Sequence, residues 1–367
     1  MSKIVNVGVV GCGNVMMHAY AHLMQTLEYQ KRIKVTVACD VIRDKRAEVA
    51  QLFPDARFTT RYEDVINAAD VDLIIVLTSM PEHGPISKAA LEAGKHVLVE
   101  KPMAVTLEEA KRLVELSKSS KGYLLCAPHV ILSETFQTIW HHLNSGTIGS
   151  VHLARARYGW AGPWWGKWFY RSGGGPLFDL GVYSISSLTG LLGPAQRVTA
   201  MTGTAIPERV VDGELIKVDT ADNFQLLIEF ENTLFATVTT GFSMQKYRSP
   251  AVELYGTEGT LQMMGDDWSP EGYELWKNSV GAWQVFGETN PSWPWTDGLR
   301  HLIDCINTGE RPLITPEHAY HVLEIMMKAL EAGKDGQTKT LTSRFEPLQF
   351  VTQETTQAHL VHDRSHS

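Results

Sequence analysis

Two stretches of this sequence carry side chains able to do chemistry together. The first is GKHVLVEKP, residues 94–102, with Lys101 near its end. The second is WWGKWFYRSGGGPLFDLGVY, residues 164–183, with Asp179 and Tyr183. A Glu-Lys-Pro triplet closing a parallel strand has no obvious folding purpose. There the lysine points into the crevice where α/β sheets bind ligands, and Pro102 fixes the backbone just beyond it. Asp179 and Tyr183 are four residues apart, so one helix turn brings both to the same side. An alcohol releases hydride only if its hydroxyl proton leaves at about the same time. A phenol with an ordinary pKa near ~10 is a poor base at neutral pH, but a neighbouring ammonium stabilises the phenolate and lowers that value. Lys101 is the candidate ammonium. In the opposite direction Tyr183 protonates the alkoxide formed when a ketone is reduced. A buried tyrosine and a helix-capping aspartate after three glycines is the competing account of the second stretch.

The other half of such a reaction needs a hydride carrier. Strand KIVNVGVVG runs into GCGN, where Gly11 and Gly13 form the start of a dinucleotide fingerprint, followed by Asn14 and Val15. One glycine permits the tight strand-to-helix turn, and the other lets a pyrophosphate approach amides at a helix N-terminus. The third fingerprint position is Met16, a departure that implies looser helix packing. Asp40, closing KVTVACD, is placed to accept from a ribose hydroxyl and favours NAD over NADP, although Arg43 nearby can pair with a phosphate.

Strand and helix patterns alternate over the first third, as expected for a parallel sheet with helices on its faces. VDLIIVLTS is the near-continuous apolar strand of that sheet. ISKAALEAG reads as a helix closed by Gly94, and TLEEA opens another with a capping box from Thr106 to Glu109. From Val151 strands dominate: VHLARARYGW, RVTAMTG, NFQLLIEF, LFATVTTGF and the hairpin AVELYG–GTLQMMG. The expected fold is α/β: a Rossmann dinucleotide-binding domain over residues 1–126, then an α+β substrate-binding and oligomerisation domain over 127–350 with a large, mostly antiparallel open sheet, and a polar tail at 351–367.

Composition bounds the partners. The chain has 367 residues, 44% hydrophobic and 20% charged, with a formal net charge of -8. That balance argues against nucleic acid or an anionic membrane as partner. Four scattered cysteines, Cys12, Cys39, Cys126 and Cys305, form no CxxC pair, so neither a metal site nor a disulfide framework is expected. With no leader-like N-terminus and no apolar run near ~20 residues, a cytoplasmic protein is expected.

GCGN, ALEAGKHVLVEKP, TLEEA, NSGTIG at 144–149 and GGGPLFDLGVY occur in the order in which the Gfo/Idh/MocA oxidoreductases carry them. Over roughly residues 4–340 the chain resembles that family. The resemblance implies that Lys101 lies beside the nicotinamide and the substrate hydroxyl, and that Asp179 binds substrate or orients the lysine. It also implies that Tyr183 stands where most members have histidine and some have tyrosine. Thr78, His83, Glu100 and Lys101 would join Gly11, Gly13, Asn14, Val15 and Asp40 around the cofactor. His83 has a surface-loop alternative. A homodimer or homotetramer built on the exposed sheet face is implied by resemblance alone.

The aromatic run suggests the substrate, because Trp and Tyr faces stack on the C–H faces of sugar rings. Trp164, Trp165, Trp168 and Tyr170 are the candidates, each with a core or interface role as the alternative, and Arg157 and Arg171, with Arg155 and Lys167, are candidate anion contacts or solvated surface charges. His129 is either a substrate contact or a core position. The leading function is oxidation of a secondary alcohol of a sugar or polyol. An NAD-dependent oxidoreductive glycosidase would need the same three catalytic residues, and a non-enzymatic NAD-binding regulator is disfavoured by retention of Lys101.

Overall fold

A computed structural model describes residues 3–266 and 268–350; the expected polar tail at 351–367 lies outside the described residues. The first sheet comprises β1 (Val5–Val10), β2 (Ile33–Cys39), β3 (Arg57–Thr59), β4 (Leu73–Val76), β5 (His96–Val99) and β6 (Leu124–Cys126), all parallel, in the order β3-β2-β1-β4-β5-β6. Its central strands are almost wholly buried because α1 (Ala21–Tyr29), α2 (Lys45–Leu52), α3 (Tyr62–Ile66), α4 (Met80–Glu92) and α5 (Leu107–Ser119) cover the faces. The chain reverses direction across the sheet between β1 and β4, and the crevice beyond their carboxyl ends is where such sheets bind ligands.

Two local features differ from the sequence reading. Met16 does not leave the position loosely packed: it is fully buried in the core, at the start of a π turn over Met16–Tyr20. The helix expected at ISKAALEAG starts earlier, at Met80, because Pro81 suits a first helical turn that needs no N–H donor. His83 therefore lies on a buried helix face, not in a surface loop.

Beyond β6 come α6 (Glu134–Asn144), β7 (Val151–Gly159), α7 (Val182–Leu192), β8 (Arg197–Gly203), β9 (Glu208–Val211) and β10 (Glu214–Lys217). They are followed by β11 (Asn223–Glu229), β12 (Phe235–Gly241), β13 (Val252–Gly256), β14 (Gly259–Asp266), β15 (Ser269–Lys277), β16 (Trp283–Gly287), α8 (Gly298–Thr308), α9 (Pro316–Asp335) and β17 (Lys339–Thr340). Nine of these strands form one sheet, β16-β15-β14-β13-β7-β12-β11-β8-β17, antiparallel except for β7 with β12. Helices α6, α7 and α9 pack on one face of this sheet. The other carries exposed Leu153, Met201, Leu227 and Phe235. The separate β9–β10 hairpin escaped the sequence reading, although Asp212-Gly213, both at positive φ, is a strong hairpin turn signal.

The turn after β1 sets the two fingerprint glycines apart. Gly11 has φ +98°, and a Cβ there would lie 2.6 Å from the Leu77 carbonyl. Gly13 has no neighbour within 4 Å. Gly11→Ala should therefore destabilise the fold by more than about 1 kcal/mol, read by urea unfolding. Gly13→Ala should leave the unfolding midpoint unchanged yet weaken NADH binding, read by nucleotide fluorescence. Equal stability losses in both variants would contradict this division.

Candidate active site

Lys101 lies just past β5, and Asp179 in a second π turn, Leu177–Gly181, that leads directly into α7. The Lys101 ammonium donates to Asp179 twice, to Oδ1 and to the main-chain carbonyl, each at 2.9 Å. Both side chains are nearly buried. One turn beyond Asp179, near the start of α7, the Tyr183 ring lies with its centroid 5.4 Å from Lys101 Nζ. The cation thus faces the ring, and the Tyr183 hydroxyl hydrogen-bonds to no described residue. The three predicted catalytic side chains converge.

Their electrostatics depart from expectation. Burial, which disfavours the ammonium, is outweighed at Lys101 by Asp179, Tyr183 and Glu100, so its pKa stands above the ordinary value and the group is charged. Tyr183 was expected to be acidified. Burial raises its pKa and outweighs the lowering by Lys101, with Glu100 and Asp179 adding to the rise, so the phenol is held protonated.

A cavity of about 1250 Å³ opens over these groups. Its lining includes Asn14 and Val15 of the nucleotide turn, His18 of the first helix, Lys101, Asp179 and Tyr183, and Trp164 and Trp165. Several lining residues were not foreseen: Tyr158, Trp160, Tyr247, Asp266, Trp268 and Trp295. Tyr158 meets Tyr183 edge-on, with centroids 5.9 Å apart. Trp160 could have been found as the continuation of the aromatic run. Trp268 and Trp295 come from distant loops with no local signal.

The turn fits a dinucleotide. Gly13 is open to an approaching group, the wall holds Asn14 and Val15, and the first helix turns its N-terminus to the same place. Asp40 is already engaged: its two carboxylate oxygens accept from the Cys12 and Ile42 amides, each at 2.8 Å, fixing the glycine turn to the end of β2. Each oxygen keeps a further lone pair for a ribose hydroxyl. Thr78 follows β4, its amide 2.8 Å from the position a Gly11 Cβ would take.

Other candidates are buried and do not line this cavity. Glu100 is buried and accepts from the Tyr20 hydroxyl (3.0 Å) and the Lys101 amide (3.2 Å), so it braces the strand end and does not line the cavity. His83 is buried with Nδ1 2.7 Å from the Pro102 carbonyl and Nε2 3.1 Å from the Thr78 carbonyl. It joins the segment after β4 to the lysine loop through their backbones. His129 is a core residue: buried, its Nδ1 3.2 Å from the Trp295 carbonyl, and its pKa pushed down to about 4 by burial.

The expected anion cluster is dispersed. Arg171 pairs with Asp219 and Lys167 with Glu214, both at the β9–β10 hairpin. Arg157 donates to Ser249 Oγ at 2.6 Å and lies over the Tyr247 ring, and Arg155 lies over Tyr255. Trp168 is half exposed, stacked on Phe169 outside the cavity lining. The three glycines meet backbone requirements. Gly173 and Gly175 take positive φ, and a Cβ on Gly174 would lie 2.5 Å from the Trp168 carbonyl.

With this geometry established, comparison with known proteins gives a consistent picture. Residues 5–127 match the model of the Gfo/Idh/MocA oxidoreductase family with its NAD-binding Rossmann fold, and residues 136–262 match a C-terminal domain model of the same family. The chain is 25% identical over 360 residues to scyllo-inositol 2-dehydrogenase (NADP(+)) IolW of Bacillus subtilis, covering 91% of this chain and 95% of that protein. It is 26% identical over 266 residues to human trans-1,2-dihydrobenzene-1,2-diol dehydrogenase, covering 72% and 75%. Among solved structures, levoglucosan dehydrogenase in complex with NADH and levoglucosan superposes with a TM-score of 0.82 at 20% identity, covering 93% of this chain and all of the other. Among the described residues, no helix is long and apolar enough to cross a membrane, and no group of three His, Cys, Asp or Glu side chains forms a metal site. With both parts matched in order, the chain belongs to the Gfo/Idh/MocA family of NAD(P)-dependent oxidoreductases, with an NAD-binding Rossmann fold.

Proposed function

We propose that this protein moves hydride between NAD and a secondary alcohol carbon of a ring-shaped sugar or polyol, with Tyr183 as acid and base. The observation that carries this reading is the convergence of Lys101, Asp179 and Tyr183 on one cavity with the nucleotide turn. Bound NAD supplies the hydride acceptor. Asp179 holds the Lys101 ammonium, and the ammonium stabilises negative charge on the Tyr183 oxygen and on the substrate oxygen as the proton leaves. The unengaged Tyr183 hydroxyl is the atom that takes or gives that proton. Asp40 favours NAD by repelling a 2′-phosphate, although one relative is named for NADP. Trp164 and Trp165, with Trp160, offer faces to the C–H side of a ring. Residues 1–126 would form the cofactor domain and 127–350 the substrate domain, with a homo-oligomer formed through the open sheet face.

Scyllo-inositol, levoglucosan and trans-1,2-dihydrobenzene-1,2-diol, each offered with NAD and NADP, are the first substrates to try. NADH formation with at least one cyclic alcohol is expected, and none with any would refute the reading. Tyr183→Phe should lower turnover about 10²- to 10⁴-fold while NADH affinity is retained. Because burial raises the Tyr183 pKa, kcat/KM for alcohol oxidation should climb with pH from 7 towards ~10 without a break near ~6.5, where histidine titrates. Ketone reduction, which needs the phenol protonated, should fall only at the alkaline end. A break near ~6.5 would contradict Tyr183 as the group that carries the proton. Light scattering should return a mass above 40.9 kDa per particle; a monomer would remove the oligomer assignment.

A further inference from the structure

The indole wall poses a mechanical problem. Trp164 is 70% exposed and Trp165 is 36% exposed, so burial cannot hold these rings in place. They contact one another, with centroids 4.6 Å apart, and both contact Trp160. A recognition surface that packing does not fix must be fixed from behind, through its backbone.

That backbone is tied down at nearly every residue. The Trp160 amide donates to the Gly241 carbonyl (3.1 Å), and the Trp160 carbonyl accepts from the Met244 amide (3.2 Å). The Ala161 carbonyl accepts from Arg209 Nη1 at 2.6 Å. The Pro163 carbonyl accepts from the Tyr170 hydroxyl at 2.8 Å. The Trp164 carbonyl accepts from the Asp212 amide at 2.8 Å. The Gly166 amide donates to Asp212 Oδ2 at 3.2 Å. Arg209 and Asp212 belong to the β9–β10 hairpin, which neither lines the cavity nor joins either large sheet.

Arg209 is the centre of this support. Its second guanidinium nitrogen donates to the Phe242 carbonyl (2.5 Å) and to Asp222 (3.3 Å), and the plane lies 5.1 Å from the Tyr170 centroid. Phe242 in turn carries the Trp160 ring edge-on. The loop is shaped to receive this arginine. Gly162 has φ +90°, and a Cβ there would lie 2.5 Å from the Tyr170 hydroxyl and 2.9 Å from Arg209 Nη1. A buried ion pair is a weak means of gaining stability, since desolvation offsets the attraction. Here Arg209 even leaves its Nε buried without a partner among the described residues. Asp222 has three other donors, the Ala205 and Ile206 amides and Asn223 Nδ2, and does not depend on the arginine.

We propose that Arg209 is a positioning residue for substrate recognition, fixing the indole wall of Trp160, Trp164 and Trp165 through the carbonyls of Ala161 and Phe242. The assignment rests on the reading of that wall as the substrate-binding face. It gives the β9–β10 hairpin a role: it is the rigid backing of a recognition surface that lies on another segment.

Two variants approach the contact from opposite sides. Arg209→Met removes the guanidinium, and Gly162→Ala pushes the loop off it. Both should keep NADH affinity within about twofold of wild type and lose the near-ultraviolet circular dichroism of the coupled indoles. With whichever of the three cyclic alcohols the wild type oxidises, KM should rise about tenfold or more while kcat changes less than about threefold. Arg209→Lys should recover part of that loss. An unchanged indole signal in both variants overturns the proposal. So does a parallel fall of kcat and NADH affinity, which would mark a fold-wide role. If the wild type oxidises none of the alcohols, the oxidoreductase reading fails, and the indole signal alone still decides the role of Arg209.

Discussion

The Lys101–Asp179 ion pair is the contact on which the site depends. Its partners come from different sheets: one closes a strand of the parallel sheet, the other opens the helix that packs on the antiparallel sheet. Two charges held nearly out of water are costly unless each is fully engaged. Lys101 meets that condition by donating to both the carboxylate and the main-chain carbonyl of one residue. The carbonyl fixes the direction of approach, so the lysine cannot follow the carboxylate to another rotamer. The relative placement of β5 and α7 is therefore also the placement of the ammonium over the Tyr183 ring.

Both helices that serve the site start in a π turn, one at Met16–Tyr20 and one at Leu177–Gly181. The second of these turns contains Asp179, whose main-chain carbonyl receives Lys101. Tyr183 sits one element further along, in α7 proper, where burial favours its neutral form and Lys101 opposes that preference. The result is a protonated phenol beside a permanent cation. That arrangement is suited to holding a proton until negative charge develops on a substrate oxygen, when the cation's stabilisation becomes largest.

Around this charged centre the cavity is rich in aromatic side chains, and its support is layered. Glu100 and His83, both buried, brace the loop that carries Lys101, tying it to Tyr20 of the first helix and to Thr78 beyond β4. The Arg209–Asp222 pair braces the indole wall in the same indirect way. In each case a buried polar side chain binds backbone carbonyls or amides of a loop whose own side chains face the ligand. Loops positioned in this way can carry exposed recognition groups without depending on those groups for their shape.

Much of this was legible in the sequence, because local chemistry required it. The strand–turn–helix with Gly11, the Thr106 cap, the alternation of the later strands and the Asp179–Tyr183 spacing each follow from properties of neighbouring residues. The Lys101–Asp179–Tyr183 trio was likewise accessible from residue type and position. Other outcomes depended on contacts between distant segments, which periodicity does not encode. His83 and His129 read as ligand contacts because histidine is versatile, but burial and backbone carbonyls commit them to the interior. Arg157 and Arg171 read as an anion site, but Ser249, Tyr247 and Asp219 claimed them first. Trp268 and Trp295 reach the cavity from loops far along the chain. The sequence by itself determined which residues could do chemistry and which elements carry them. Only the tertiary structure decided which were free to do it, because a polar side chain binds whichever partner folding brings to it, and that partner lies tens to hundreds of residues away.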